Sequence, residues 1–89
     1  VFADTQVPTY MQDGSLVLGT MLLAASSIGL GSCWINRAKE SFQSEEGKAL
    51  MRKWGLADTY EGIGICILGY VKGEIPVPKA RKEDYIVMA

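Results

Sequence analysis

Two short stretches of this sequence have residue types and spacing suited to holding a charged ligand. The first is Pro76-Val77-Pro78-Lys79-Ala80-Arg81-Lys82. Each proline lacks an N–H and restricts the residue before it, so the segment is expected to be extended. In an extended chain Lys79 and Arg81 project to the same side, about 6.6 Å apart along the backbone. That arrangement suits two cations closing on one phosphate, with Arg offering a planar fork and Lys a point charge. Taken alone, such a basic cluster more often marks a solvated surface. The second stretch is Gly29-Leu30-Gly31-Ser32-Cys33-Trp34-Ile35-Asn36-Arg37. It lacks a full GxGxxG fingerprint and follows a helix instead of opening one, which argues against a dinucleotide-phosphate loop. It reads as a helix stop followed by a strand. The end of that strand, Ile35-Asn36-Arg37, could present backbone amides to a ligand, since strand ends are where open α/β sheets bind them.

Other chemistries are harder to build. There is no His, so neither a His-based triad nor a His-ligated metal site can be made within this chain. Cys33 and Cys66 are too few for a disulfide framework and show no CxxC spacing. Both read as small buried hydrophobes of a reducing compartment. Nine Lys+Arg against ten Asp+Glu leave a net charge of -1, which disfavours a nucleic-acid binder working through a phosphate footprint.

The elements that must position the two stretches fit one small domain of 89 residues, 48% hydrophobic. The chain begins at Val1, within a run Val1-Phe2-Ala3 that reads as the tail of a strand, as expected of part of a longer protein. Asp13 is a candidate N-cap for a helix running to Gly29, which suits the left-handed position after a helix end. Between them, apolar residues from Leu16 to Ile28 fall on almost every face, so this helix is expected to be covered nearly all round. Gly14 to Asn36 carries no charge, yet Gly29 and Gly31 leave about 22 Å of helix, too short and too Ser-rich for a membrane span. No basic segment precedes it, as a signal peptide would need. Ser32–Ile35 reads as a strand, making Val1–Ile35 a βαβ-like unit. Ser44 caps a second predicted helix over 45–54, stopped by Gly55. Gly62–Val71 reads as one central strand covered on both faces, its glycines marking close approach of another backbone or a ligand. Tyr85–Met88 reads as a final strand or an arm. A domain this small buries only about 60% of its unfolded surface, so the long helix needs cover from a missing N-terminal half, a partner subunit, or both.

Three blocks, Asp13–Ile35 (DGSLVLGTMLLAASSIGLGSCWI), Ile63–Tyr70 (IGICILGY) and Pro78–Arg81 (PKAR), resemble in order and spacing the C-terminal half of the FMN-dependent nitroreductase family. The resemblance implies an α+β fold with a central buried helix packed on a mixed sheet. Residues 1–89 would then be the C-terminal part of a nitroreductase-like domain. It further implies a cytoplasmic homodimer with FMN at the subunit interface, hydride from NAD(P)H, and a nitroaromatic, quinone or similar small-molecule acceptor, with no nucleic-acid or membrane partner. Carried over position by position, Trp34, Ile35, Asn36 and Arg37 would run beside the flavin ring. Lys79 and Arg81 would hold its phosphate. Trp34 keeps a second reading as ordinary core packing. Two alternatives stay open: a non-catalytic fragment or dimerisation module unable to hold FMN alone, and another flavin chemistry such as dehalogenation or flavin fragmentation.

Overall fold

A computed structural model describes residues 1–89. Seven elements follow in order: β1 (Phe2–Asp4), α1 (Tyr10–Ser27), β2 (Gly31–Ile35), α2 (Ala38–Gln43), α3 (Glu45–Lys53), β3 (Tyr60–Gly62) and β4 (Ile65–Gly69). The strands form two separate antiparallel ribbons. β1 pairs with β3, Phe2 opposite Gly62, and β2 pairs with β4, Trp34 opposite Cys66 and Ile35 opposite Ile65. β1 and β2 therefore do not form the expected βαβ-like unit; each takes a partner from the second half of the chain. The expected single strand over Gly62–Val71 is also broken. Ile63 and Gly64 leave the ladder, so β3 and β4 serve different ribbons.

The helix α1 starts earlier than the carboxylate at Asp13 suggests. Thr9 is its N-cap position, and Asp13 lies in the first turn, where it accepts a hydrogen bond from Thr9 Oγ1 at 2.9 Å. Asp13 thus still opposes the positive end of the helix dipole, without capping it. The C-terminus behaves as the sequence indicates. Gly29 has φ +79°, its N–H reaches Ser26 O, and the Leu30 N–H reaches Ala25 O. These two bonds are the reciprocal pair that closes a helix on a left-handed glycine. α3 repeats the device with Gly55 at φ +76°, and opens on the predicted cap, Ser44 Oγ accepting from the Gly47 N–H at 3.1 Å. Between β2 and α3 the short helix α2 occupies a segment with no expected element.

Leu18 on α1 is the largest fully buried side chain, joined in the core by Ala25, Ala38 and Met51. Leu18 alone contributes about 1.5–3 kcal/mol of apolar burial. A second cluster ties β1 to α2 and the end of α3. Phe2 meets Phe42 edge-on with ring centroids 4.7 Å apart and Trp54 at 6.1 Å. Each such pair adds about 0.5–1.5 kcal/mol beyond area burial.

Elsewhere the surface is open. α1 packs on both ribbons by one face, while Leu16 and Leu23 on its other faces, and Ile28 just past its end, are exposed. The expected cover all round α1 is therefore not supplied by this chain. It exposes 7596 Å², against about 5,100 Å² for a compact monomer of this mass. Its radius of gyration is 16.5 Å, against about 12 Å for a compact 89-residue domain. Residues 70–89 account for much of this, since all are exposed and Tyr85–Met88 forms no strand. No helix is long and apolar enough to cross a membrane.

Candidate functional site

β2 is rich in β-branched and aromatic character and ends at Ile35, the last residue paired with β4. Asn36 and Arg37 follow as a two-residue connection into α2, and both are exposed. Neither N–H donates to a backbone acceptor, whereas the Arg37 carbonyl is occupied, accepting the Ser41 N–H at 3.1 Å and the Ser41 hydroxyl at 2.8 Å. Two consecutive amide donors are thus left free at the end of a strand, while the carbonyl beside them is turned into the helix. An N–H pair of this kind can serve an acceptor-bearing, electron-rich group. Arg37 adds an exposed guanidinium with no ion pair.

Trp34 lies one residue inside the strand and is half-buried. Its indole Nε1 is buried without a hydrogen-bond partner and lies against Gly64 and Leu18. The core-packing reading of Trp34 therefore describes its contacts within this chain.

Lys79 and Arg81 stand in the exposed C-terminal segment. Neither makes an ion pair; the chain's only salt bridge is Lys39–Glu61 at 3.8 Å. No hydrogen bond joins them to Trp34–Arg37. Two cavities lie elsewhere. A cleft of about 540 Å³ between α2, α3 and β3 is lined by Lys39, Phe42, Lys48, Arg52, Asp58 and Tyr60 among others. A shallow pocket of about 290 Å³ lies against the far end of the β2–β4 ribbon. Neither includes any of the six predicted residues, because a strand end and an extended tail supply edges of a site and not its walls.

The cysteines correct an expectation. Trp34 and Cys66 are cross-strand partners, as are Cys33 and Ile67, so alternation puts the thiols on opposite faces of the ribbon. Both are free; Cys33 is exposed and only Cys66 is partly buried. One titratable group is perturbed. The Val1 amino group, donating to the Gly64 carbonyl at 2.8 Å, is pushed below its usual value mainly by burial, with the nearby Cys66 opposing.

The expected close approach at the glycines of 62–71 is found at Gly62, against the Ala38 backbone, and at Gly64, against Trp34 and Leu18; the sequence reading did not name Ala38 as a neighbour of the strand end. The glycines of Gly62-Ile63-Gly64 were the available signal, since they weaken a strand without adding contacts of their own.

Helix α1 laid across two antiparallel ribbons, with free amides at one strand end, defines an α+β arrangement with an open edge. The nitroreductase family profile matches residues 3–70, and the chain belongs to that family. The structure of a nitroreductase with bound FMN from Bacteroides fragilis NCTC 9343 is similar, with a TM-score of 0.85 at 26% identity. The match covers 99% of this chain and 48% of that one, so this chain spans about half of its neighbour's length. A comparison with curated proteins finds no match.

Proposed function

We propose that this chain forms the C-terminal part of an FMN-dependent oxidoreductase of the nitroreductase type. The carrying observation is the free pair of N–H groups at Asn36 and Arg37, in a chain whose fold matches an FMN-bound nitroreductase. In this reading both amides donate to the electron-rich edge of the flavin ring, where a positioned donor favours added negative charge. Trp34 and Ile35 flank the ring from the strand. Lys79 and Arg81 hold the phosphate by charge-assisted hydrogen bonds, which matches their exposed and unpaired state. When bound, FMN would supply the redox chemistry, taking hydride from NAD(P)H and passing electrons to a nitroaromatic, quinone or similar acceptor.

The remaining walls of the site would come from a second subunit and from the part of the fold that this chain does not span. The uncovered apolar face of α1 supports a homodimer. Two free thiols suit a reducing compartment, here the cytoplasm.

Anaerobic titration of the intact protein with FMN tests the reading. It should take up FMN, and NAD(P)H should then bleach the flavin absorbance. Failure to take up FMN overturns the reading; uptake without bleaching removes NAD(P)H. The exposed α1 face also favours a second reading, a dimerisation element without catalysis, which a dimeric protein with no flavin affinity would select.

A further inference from the structure

The tripeptide Gly62-Ile63-Gly64, which runs from the last residue of β3 through the two residues that leave the ladder before β4, touches three other elements at once. A Cβ placed on Gly62 would stand 2.8 Å from the Ala38 carbonyl oxygen, at the start of α2. One placed on Gly64 would stand 2.6 Å from both Leu18 Cδ1 and Trp34 Nε1. Ile63 fills the corresponding hole on α1, where a Cβ on Gly14 would meet Ile63 Cγ1 at 2.7 Å. Gly14 and Leu18 are four apart and so share one face of the helix. That face therefore offers a hole to Ile63 and a knob to Gly64, which fixes its register against the tripeptide.

The other side of the tripeptide faces the candidate flavin segment. Trp34 and Ala38 bracket Ile35-Asn36-Arg37, and each rests on one of the two glycines. The Trp34 Nε1 atom is the one buried side-chain polar atom without a partner. The indole is thus held at Gly64 by close packing and not by a hydrogen bond. A side chain at position 64 displaces the first end of the bracket; one at position 62 displaces the second. Either change therefore acts on one end of the segment that carries the two free N–H groups.

We propose that Gly62-Ile63-Gly64 is a positioning element that sets the direction of the Asn36 and Arg37 amides toward the cofactor. This rests on the flavin reading above for the identity of the ligand, but not for the geometry.

The test uses Gly62→Ala and Gly64→Ala in the intact protein. Gly19→Ala and Gly69→Ala serve as controls, because a Cβ at either meets nothing within 4 Å. In the flavin-free protein, the amide NMR signals of Asn36 and Arg37 should shift in the first two variants and not in the controls. In the FMN-loaded protein, the flavin midpoint potential should move negative in the same two, as a misdirected donor stabilises the reduced ring less. Trp34→Phe in the Gly64→Ala background removes one of the two atoms that the new methyl meets most closely, the indole Nε1, leaving the flexible Leu18 Cδ1 to yield. It should return the amide signals toward wild type, and it provides a folded comparison if Gly64→Ala alone does not fold. Unmoved Asn36 and Arg37 amides, or equal shifts in the controls, overturn the inference. A wild-type protein that binds no FMN overturns the flavin reading instead, and the amide shifts then judge the positioning by themselves.

Discussion

The two segments that carry the predicted flavin contacts are held in opposite ways. Ile35–Arg37 is fixed at both ends by packing, through Trp34 on Gly64 and Ala38 on Gly62. Lys79 and Arg81 belong to a segment that is exposed throughout and follows two prolines with no sheet partner. The difference follows from what each contact requires. A hydrogen bond to a ring edge depends on direction, so its donors need a rigid scaffold. A pair of cations acting on a phosphate depends mainly on proximity, and flexible side chains tolerate a less constrained backbone.

That contrast can be broken most directly at the tail. Replacing both Lys79 and Arg81 with Ala should lower FMN affinity by about a hundredfold to ten-thousandfold, at about 1.5–3 kcal/mol per charged hydrogen bond lost. The thermal midpoint of the flavin-free protein should stay within about 2 °C, as expected of surface substitutions. Fluorescence titration and a melting curve measure the two halves; unchanged affinity would return both residues to a solvated surface.

Leu18→Ala probes the other side of the comparison. It should cost about 2–5 kcal/mol in urea unfolding, because the side chain is fully buried between α1 and Gly64. It should also weaken FMN binding through the ring segment. A loss below about 1 kcal/mol would mean that the scaffold under Trp34 is not set by this contact. The smallest effect is expected at Lys82. Alternation along an extended chain points it away from Lys79 and Arg81, so Lys82→Ala should change FMN affinity less than about threefold. A larger drop would mean that the tail is not extended when the phosphate is held.

Much of the local structure was readable from residue types. Gly29 and Gly55 close their helices because each occupies a positive-φ position that other residues adopt at a cost. Ser44 caps α3 because its side chain competes for the first-turn amides. The strand was legible over Ser32–Ile35 in its aromatic Trp34 and β-branched Ile35, and the structure extends it by one residue to Gly31. Two local readings failed. Asp13 gave way to Thr9, whose carbonyl accepts the Asp13 N–H one turn earlier. Gly62–Val71 divided at Ile63-Gly64 because its two parts pair with different strands far along the chain.

The candidate site was legible as two motifs and not as a place. Trp34–Arg37 and Pro78–Arg81 are recognisable because their chemistry is local: amides after a strand, and cations on an extended segment. Which residues stand behind Trp34 is a matter of long-range packing, and Gly64 lies thirty positions away in sequence.

By itself, the sequence determined the helix limits set by glycine, the strand at 32–35, the family and the chemical types available to a flavin. These depend on backbone preferences and side-chain charge, which act over a few residues. Tertiary structure alone decided that β1 and β2 pair with later strands and not with each other. It also decided that Gly62 and Gly64 support both ends of one exposed turn. Such choices rest on shape complementarity between distant segments, where one methyl group too many closes the gap.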